Sequence, residues 1–234
     1  MVVGTIISAG LYGSGSTWLF NVLRLLVSSR GYDKVTSAYS DFPSDSWPLH
    51  PRSPIEQLII KTHKPPNFLI EAAKRGTSVI VTVRDPRDCV ASLMTRFLYD
   101  LDTASNIVVQ SANRILLLKS VCDPLIFRYE DNFIGRRTTI SSICELLELS
   151  IAENVRDDVL ADLSAENVRA RINKQIEEGT LDASSPRDSF EPDSHWHPGH
   201  IGDQQIGKYR KVLNSCEADR ICARTAEFMK EFCY

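Results

Sequence analysis

Short apolar bursts alternate with longer stretches of helical periodicity along this chain. The first burst is Val2-Val-Gly-Thr-Ile-Ile-Ser8. Later bursts are Leu58-Ile-Ile60, Val79-Ile-Val-Thr-Val83 and Leu125-Ile-Phe127. Such runs, too short for helices and apolar on both faces, predict buried parallel strands. Between them the pattern predicts helices at 15–30, 67–75, 86–99, 104–121, 139–148, 164–178 and 215–232. Leu19, Val22, Leu23 and Leu26 mark one apolar face, and Val90, Leu93, Met94 and Phe97 another. Pro86 suits a first helical turn. The expected fold class is α/β: three layers, α/β/α, around a central, mainly parallel sheet.

Two proline-rich stretches, 41–54 and 180–202, predict long loops of the kind that form lids or binding segments. Neither has a complete strand set on each side of it, so residues 1–234 are read as a single domain.

The polar residues gather at the ends of the apolar bursts: Ser14 to Thr17, Lys61 to His63, Arg84 to Asp88, Tyr129 to Asp131. Open α/β sheets bind ligands outside the carboxyl ends of their strands. The first of these tips, Gly10-Leu-Tyr-Gly-Ser-Gly-Ser-Thr-Trp18, joins a strand to a helix. A helix N-terminus offers unpaired N–H groups and the positive end of a dipole, so this P-loop-like loop is a phosphate-binding candidate. The spacing is almost G-x-x-x-x-G-K-[ST], with Gly10, Gly15 and Thr17 in place and Ser16 where the lysine would stand. That lysine reaches the β- and γ-phosphates of a triphosphate, and its absence points to a nucleotide with no γ-phosphate to transfer.

Composition narrows the partners. With a formal net charge of −3, no general affinity for nucleic acid is implied, although the first hundred residues are net basic. Six cysteines are scattered without a C-x-x-C, which predicts reduced thiols in a cytoplasmic protein. No apolar run approaches the ~20 residues of a membrane span, and residues 2–9 are read as a strand and not a signal peptide. His195, His197 and His200 lie close together near Asp203, a metal-like spacing, but in a Pro/Gly loop without evident preformed geometry. No metal is expected.

In order along residues 1 to about 212, the chain resembles the sulfotransferases that use 3′-phosphoadenosine-5′-phosphosulfate (PAPS). Tyr12-Gly-Ser-Gly-Ser-Thr-Trp18 is similar to that family's Y-P-K-S-G-T-T-W, one residue shorter at the proline–lysine pair. Lys61-Thr-His63 resembles its K-T-H, and Arg84-Asp-Pro-Arg-Asp-Cys-Val-Ala-Ser92 its R-x-P-x-D-x-x-x-S. Tyr129-Glu-Asp131 resembles its Y-E-D, and Gly199-His-Ile-Gly-Asp203 its late glycine loop.

The resemblance implies roles. His63 is the general base, with Lys61 beside the leaving phosphate. Gly13, Ser14, Gly15, Ser16, Thr17 and Trp18 hold the 5′-phosphosulfate. Arg84, Ser92, Gly199 and His200 hold the 3′-phosphate, and Tyr129 lies near the adenine. PAPS is the implied donor, PAP the product, and a small molecule or glycan the acceptor. The family's loop cation is replaced by Gly13, so Lys61, Lys64 or Arg87 must compensate. A lysine restored at position 13 is expected to be tolerated unless that position needs a positive φ. Two other readings share the pattern: a nucleotide kinase-like phosphotransferase with an altered loop, and a non-catalytic PAP- or nucleotide-binding protein.

Overall fold

Alternation within the apolar bursts decides the layering. In the computed structural model, which describes residues 4–30, 34–41, 56–186 and 188–234, the strands are β1 (Thr5–Gly10), β2 (Lys34–Tyr39), β3 (Glu56–Thr62), β4 (Ser78–Val83) and β5 (Leu125–Arg128). They form one parallel sheet in the order β2-β3-β1-β4-β5. Successive side chains of a strand point to opposite faces. Ile7, Ile60 and Val81 accordingly enter one core, and Ile6, Ile59 and Ile80 the other.

The first core is covered by α2 (Asn67–Lys74), α3 (Pro86–Phe97), α4 (Leu101–Val121), α8 (Tyr209–Val212), α9 (Ser215–Arg224) and α10 (Ala226–Glu231). The second is covered by α1 (Ser16–Ser28), α5 (Arg137–Leu146), α6 (Glu153–Asp162) and α7 (Ala165–Glu177). The expected three-layer α/β/α architecture is present. A fully buried aliphatic side chain is worth about 1.5–3 kcal/mol over an exposed one. Leu19, Leu23 and Leu26 of α1 are such residues, so α1 is fixed rigidly against the sheet.

Several elements differ from the sequence expectation. β2 is an edge strand that needs to be apolar on less of its surface, and Lys-Val-Thr-Ser-Ala-Tyr carries too little hydrophobic signal to announce it. Half of the residues of α6 are charged and Val159 is its one buried residue, so the apolar pattern does not predict it. α4 begins earlier than periodicity suggests because the Asp100 carboxylate accepts the Thr103 N–H at 2.7 Å and caps it. The expected helix 215–232 is two helices, broken at Thr225. Of the expected loop 41–54, only Asp41 lies within the described residues. The stretch 180–202 contains no helix or strand among its described residues and is anchored by the buried Trp196.

β1 has no room for a side chain at its carboxyl end. A Cβ added at Gly10 would lie 2.1 Å from Thr82 Oγ1 and 2.9 Å from Ser16 Cβ, whereas one at Gly4 would meet nothing within 4 Å. Gly10→Ala should therefore cost at least about 1–3 kcal/mol of stability, as overpacking does, while Gly4→Ala stays within about 0.5 kcal/mol. Urea unfolding midpoints of the two variants check this; equal midpoints would contradict it.

Candidate functional site

The loop after β1 is shaped by two glycines. Gly13 and Gly15 have φ of 74° and 83°, left-handed values that side chains adopt at a cost. Gly15 caps α1 without a side-chain hydrogen bond, so the first-turn N–H groups of α1 remain available at the cavity wall, where Gly15, Ser16 and Thr17 lie. Ser14 is used differently. It is fully buried, and its hydroxyl donates to the Leu11 carbonyl at 2.6 Å. Having one proton, it must accept from Thr82 Oγ1 at 2.7 Å. Ser14 therefore builds the loop from behind. The Trp18 indole donates to the Leu163 carbonyl at 3.1 Å and presents part of its ring to the cavity.

The parallel register aligns three strand ends. Ser8 pairs with Lys61, Ala9 with Thr62, and Gly10 with Thr82. Lys61 and His63 of the β3 tip thus reach across the end of β1. Lys61 Nζ donates to Thr17 Oγ1 at 2.7 Å, inside the loop that has no cation of its own. Lys64 instead contacts Gln110, and Arg87 pairs with Asp85 at 2.6 Å. Of the three cations that could compensate for Gly13, only Lys61 lines the cavity. A side chain at Gly13 would combine a positive φ with a Cβ 3.2 Å from Ser92 Oγ, so a restored lysine would be strained.

His63 is locked. Its Nδ1 lies 2.6 Å from the Gly10 carbonyl, which can only accept, so Nδ1 carries the proton and Nε2 the lone pair. The Tyr12 ring stacks on it at 3.9 Å. Behind it, Asp41 Oδ1 accepts from the Thr62 hydroxyl and from the backbone N–H groups of His63 and Lys64. Asp41 Oδ2 accepts from the Tyr39 and Tyr12 hydroxyls. Sequence reading missed Asp41, Tyr12 and Tyr39; an acid beside a proline-rich stretch gives no signal of its own.

On the other side, Arg84 follows β4. Its guanidinium donates to the Gly13 carbonyl (2.9 Å), the Gln205 carbonyl (2.6 Å) and the buried Asp88 carboxylate (3.1 Å). It lies 4.1 Å from the centre of the Tyr129 ring. Ser92, two turns along α3, faces Gly13. His200 lines the same space, and its Nδ1 is buried with no hydrogen-bond partner among the described residues. Gly199 does not reach the wall. Arg96, one turn beyond Ser92, does, and was also missed.

These groups enclose one cavity of about 310 Å³. Among the described residues, Lys61 and Arg96 on its wall have no carboxylate partner. Burial pushes Lys61 down to about 7, and burial pushes His63 down to about 4 against the opposing pull of Asp41. Burial holds His195 and His197 at about 3 and His200 well below its usual value. His195 stacks on Phe190, while His197 sits between Arg96 and the Pro198 carbonyl. Among the described residues, no group of three metal-ligating side chains converges. No helix among them is long and apolar enough to cross a membrane.

A family model described as the sulfotransferase domain matches residues 4–120, half of the chain, from β1 to the end of α4. A search of curated proteins finds no match. Among solved structures, retinol dehydratase in complex with retinol and PAP is similar with a TM-score of 0.62 at 13% identity, over 97% of this chain and 81% of that one. Mouse sulfotransferase SULT7A1 complexed with PAP gives 0.62 at 12%, over 97% and 84%. Retinol dehydratase with androsterone and inactive cofactor PAP gives 0.62 at 13%, over 97% and 80%. At these identities the likeness is one of fold.

Because the native state refuses protons at these histidines and the unfolded chain accepts them near pH 6.5, stability is complete above that pH and falls as pH drops from 6.5 toward 4. Each histidine kept neutral contributes a slope of about 1.4 kcal/mol per pH unit in that window. Imidazole NMR of the ligand-free protein should show His63 neutral down to about pH 4; titration near 6.5 would refute the assignment.

Proposed function

Since the chain belongs to the sulfotransferase family, we propose that it moves a sulfuryl group from PAPS to a hydroxyl or amine of a small-molecule acceptor, releasing PAP. The observation that carries this reading is one cavity in which Lys61, Arg84 and the α1 N-terminus meet a neutral imidazole whose lone pair is free of the Gly10 bond. The solved relatives that hold PAP, one with retinol and one with androsterone, support a donor and acceptors of this kind. The whole chain, residues 1–234, is read as one sulfotransferase-like domain.

The residues present fit the donor. The space above Gly13 is kept open by the absence of a side chain, and Arg84 Nε is buried without a partner among the described residues. The N–H groups and hydroxyls of residues 15–17 would hold the 5′-phosphosulfate. Arg84 and Ser92, with His200, would hold the 3′-phosphate, and Tyr129 would flank the adenine. The Trp18 indole N–H is spent on the Leu163 carbonyl, so its ring, and not a donor to the phosphosulfate, is what it offers the nucleotide. When bound, PAPS supplies an electrophilic sulfur: a bond from the acceptor oxygen to sulfur forms as the bond from sulfur to the 5′-phosphate oxygen breaks.

The protein's own part is proton transfer and charge placement. His63 Nε2 takes the proton of the acceptor hydroxyl, and Asp41 beneath the strand tip favours the resulting imidazolium. Lys61, drawn to its charged form by the incoming anion, offsets the charge that collects on the leaving phosphate. Its depressed pKa of about 7 means that anion binding near pH 8 takes up a proton.

Calorimetry checks the donor. PAP should bind at least tenfold more tightly than adenosine 5′-phosphate, because one charged contact is worth about 1.5–3 kcal/mol, one to two decades. Arg84→Lys, which keeps a cation against Asp88 but loses the fork, should erase most of that difference. Equal binding of the two nucleotides to the unaltered protein would remove the 3′-phosphate assignment.

The base has its own test. His63→Ala should lower turnover about 10²–10⁴-fold and leave PAP affinity within a few-fold. Near-full turnover would make His63 structural.

A further inference from the structure

Two cations of the cavity, Lys208 and Arg96, have no duty in the reaction described above, and of these Lys208 is paired with Asp203. Arg96 stands one helical turn beyond Ser92 on α3, further from the phosphate loop and on the same face. Its one hydrogen bond among the described residues goes from Nη2 to His197 Nε2 at 2.7 Å. The His197 Nδ1 lies 2.9 Å from the Pro198 carbonyl, which can only accept, so Nδ1 bears the proton and Nε2 is the acceptor. His197 is therefore neutral, and it orients the guanidinium without balancing its charge.

Among the described residues no carboxylate pairs with Arg96, and its Nε is buried without a partner. Neighbouring arginines are treated differently: Arg84 has Asp88, and Arg87 has Asp85. The acid on the cavity wall, Asp203, lies 3.5 Å from Lys208 Nζ. An enclosed guanidinium with no counter-charge is costly unless something else supplies the anion. Burial and the charge of Arg84 already pull Arg96 down to about 10.

The surroundings describe the rest of the ligand. The Phe97 ring lies beside Arg96 and 5.4 Å from the His197 ring. A second, separate chain of ring contacts on the same cavity wall runs from Tyr39 to His195 at 5.8 Å and from His195 to Phe190 at 5.9 Å, the last pair nearly parallel. Phe190 is half exposed at the rim. Arg96, Lys61 and His63 line the same cavity.

We propose that Arg96 anchors a carboxylate on the acceptor, so that this enzyme acts on acidic hydroxyl compounds with an aromatic or apolar body. The proposal rests on the sulfotransferase reading. Arg84, Lys61 and the α1 N-terminus meet the charge of the donor; Arg96 is the cation left for the acceptor, with the ring wall to take its apolar body.

The test is calorimetric binding of 3-(4-hydroxyphenyl)propionate and of its methyl ester to the PAP-loaded protein. The acid should bind at least tenfold more tightly than the ester. Arg96→Met, which keeps the length of the side chain, should abolish that preference while PAP affinity stays within threefold, and Arg96→Lys should retain part of it. Equal affinity for acid and ester, or no binding of either at millimolar concentration, would overturn the proposal on the unaltered protein alone. A loss of PAP affinity in Arg96→Met as large as in Arg84→Lys would overturn it too, by assigning Arg96 to the donor. Failure of the sulfotransferase reading shows separately, as PAP binding no tighter than adenosine 5′-phosphate.

Discussion

The carboxylate of Asp88 joins the two ends of the site. It is fully buried at the first turn of α3, and each of its oxygens is used. Oδ2 accepts from Arg84 and from the N–H of Gly207, and Oδ1 from the N–H of Tyr209. One side chain thereby orients the guanidinium that reaches the Gly13 carbonyl and ties the late segment of the chain to α3. Breaking such a buried pair from one side costs about 3–5 kcal/mol. The wall from Asp203 to Lys208 stays where it is because this acid lies under it and not in the cavity.

Asp41 plays the matching part on the opposite side. It gathers the N–H groups of the β3 tip and two tyrosine hydroxyls, and it too stays off the cavity wall. These two carboxylates are thus placed behind the strand tips, where they fix positions, and the one acid on the wall among the described residues, Asp203, is paired with Lys208. The loop after β1 can consist of glycine and serine because Lys61 reaches it from the neighbouring strand. A loop lysine would have needed backbone that Gly13, at its positive φ and against Ser92, does not offer.

What the sequence reveals follows from where the signal is local. The central strands are apolar on both faces, so β1, β3, β4 and β5 are visible as bursts, and the polar tips mark the ligand end. The three-layer fold follows from those bursts. β2 and α6 are not visible, since an edge strand and a charged helix rest on tertiary contacts more than on composition. The same division runs through the site. Lys61, His63, Arg84 and Ser92 stand in readable motifs. Arg96 and Asp41 matter through what folds against them, and His197 lies more than a hundred residues from Arg96 in sequence. Ser14 shows the reverse error: its motif suggests ligand contact, while its hydroxyl is spent on Leu11 and Thr82.

Arg84 is not an idle donor in the ligand-free protein. The carbonyls of Gly13 and Gln205 occupy it at 2.9 and 2.6 Å, in the role of surrogate acceptors. Any phosphate that takes this guanidinium exchanges with them instead of filling a gap. Its affinity is then a difference between two sets of hydrogen bonds, and is set by how readily the protein gives up its own carbonyls as well as by the charge of the ligand. On the proposed assignment of Arg84 to the 3′-phosphate, the backbone stretch around Gln205 would tune nucleotide affinity without itself contacting phosphate.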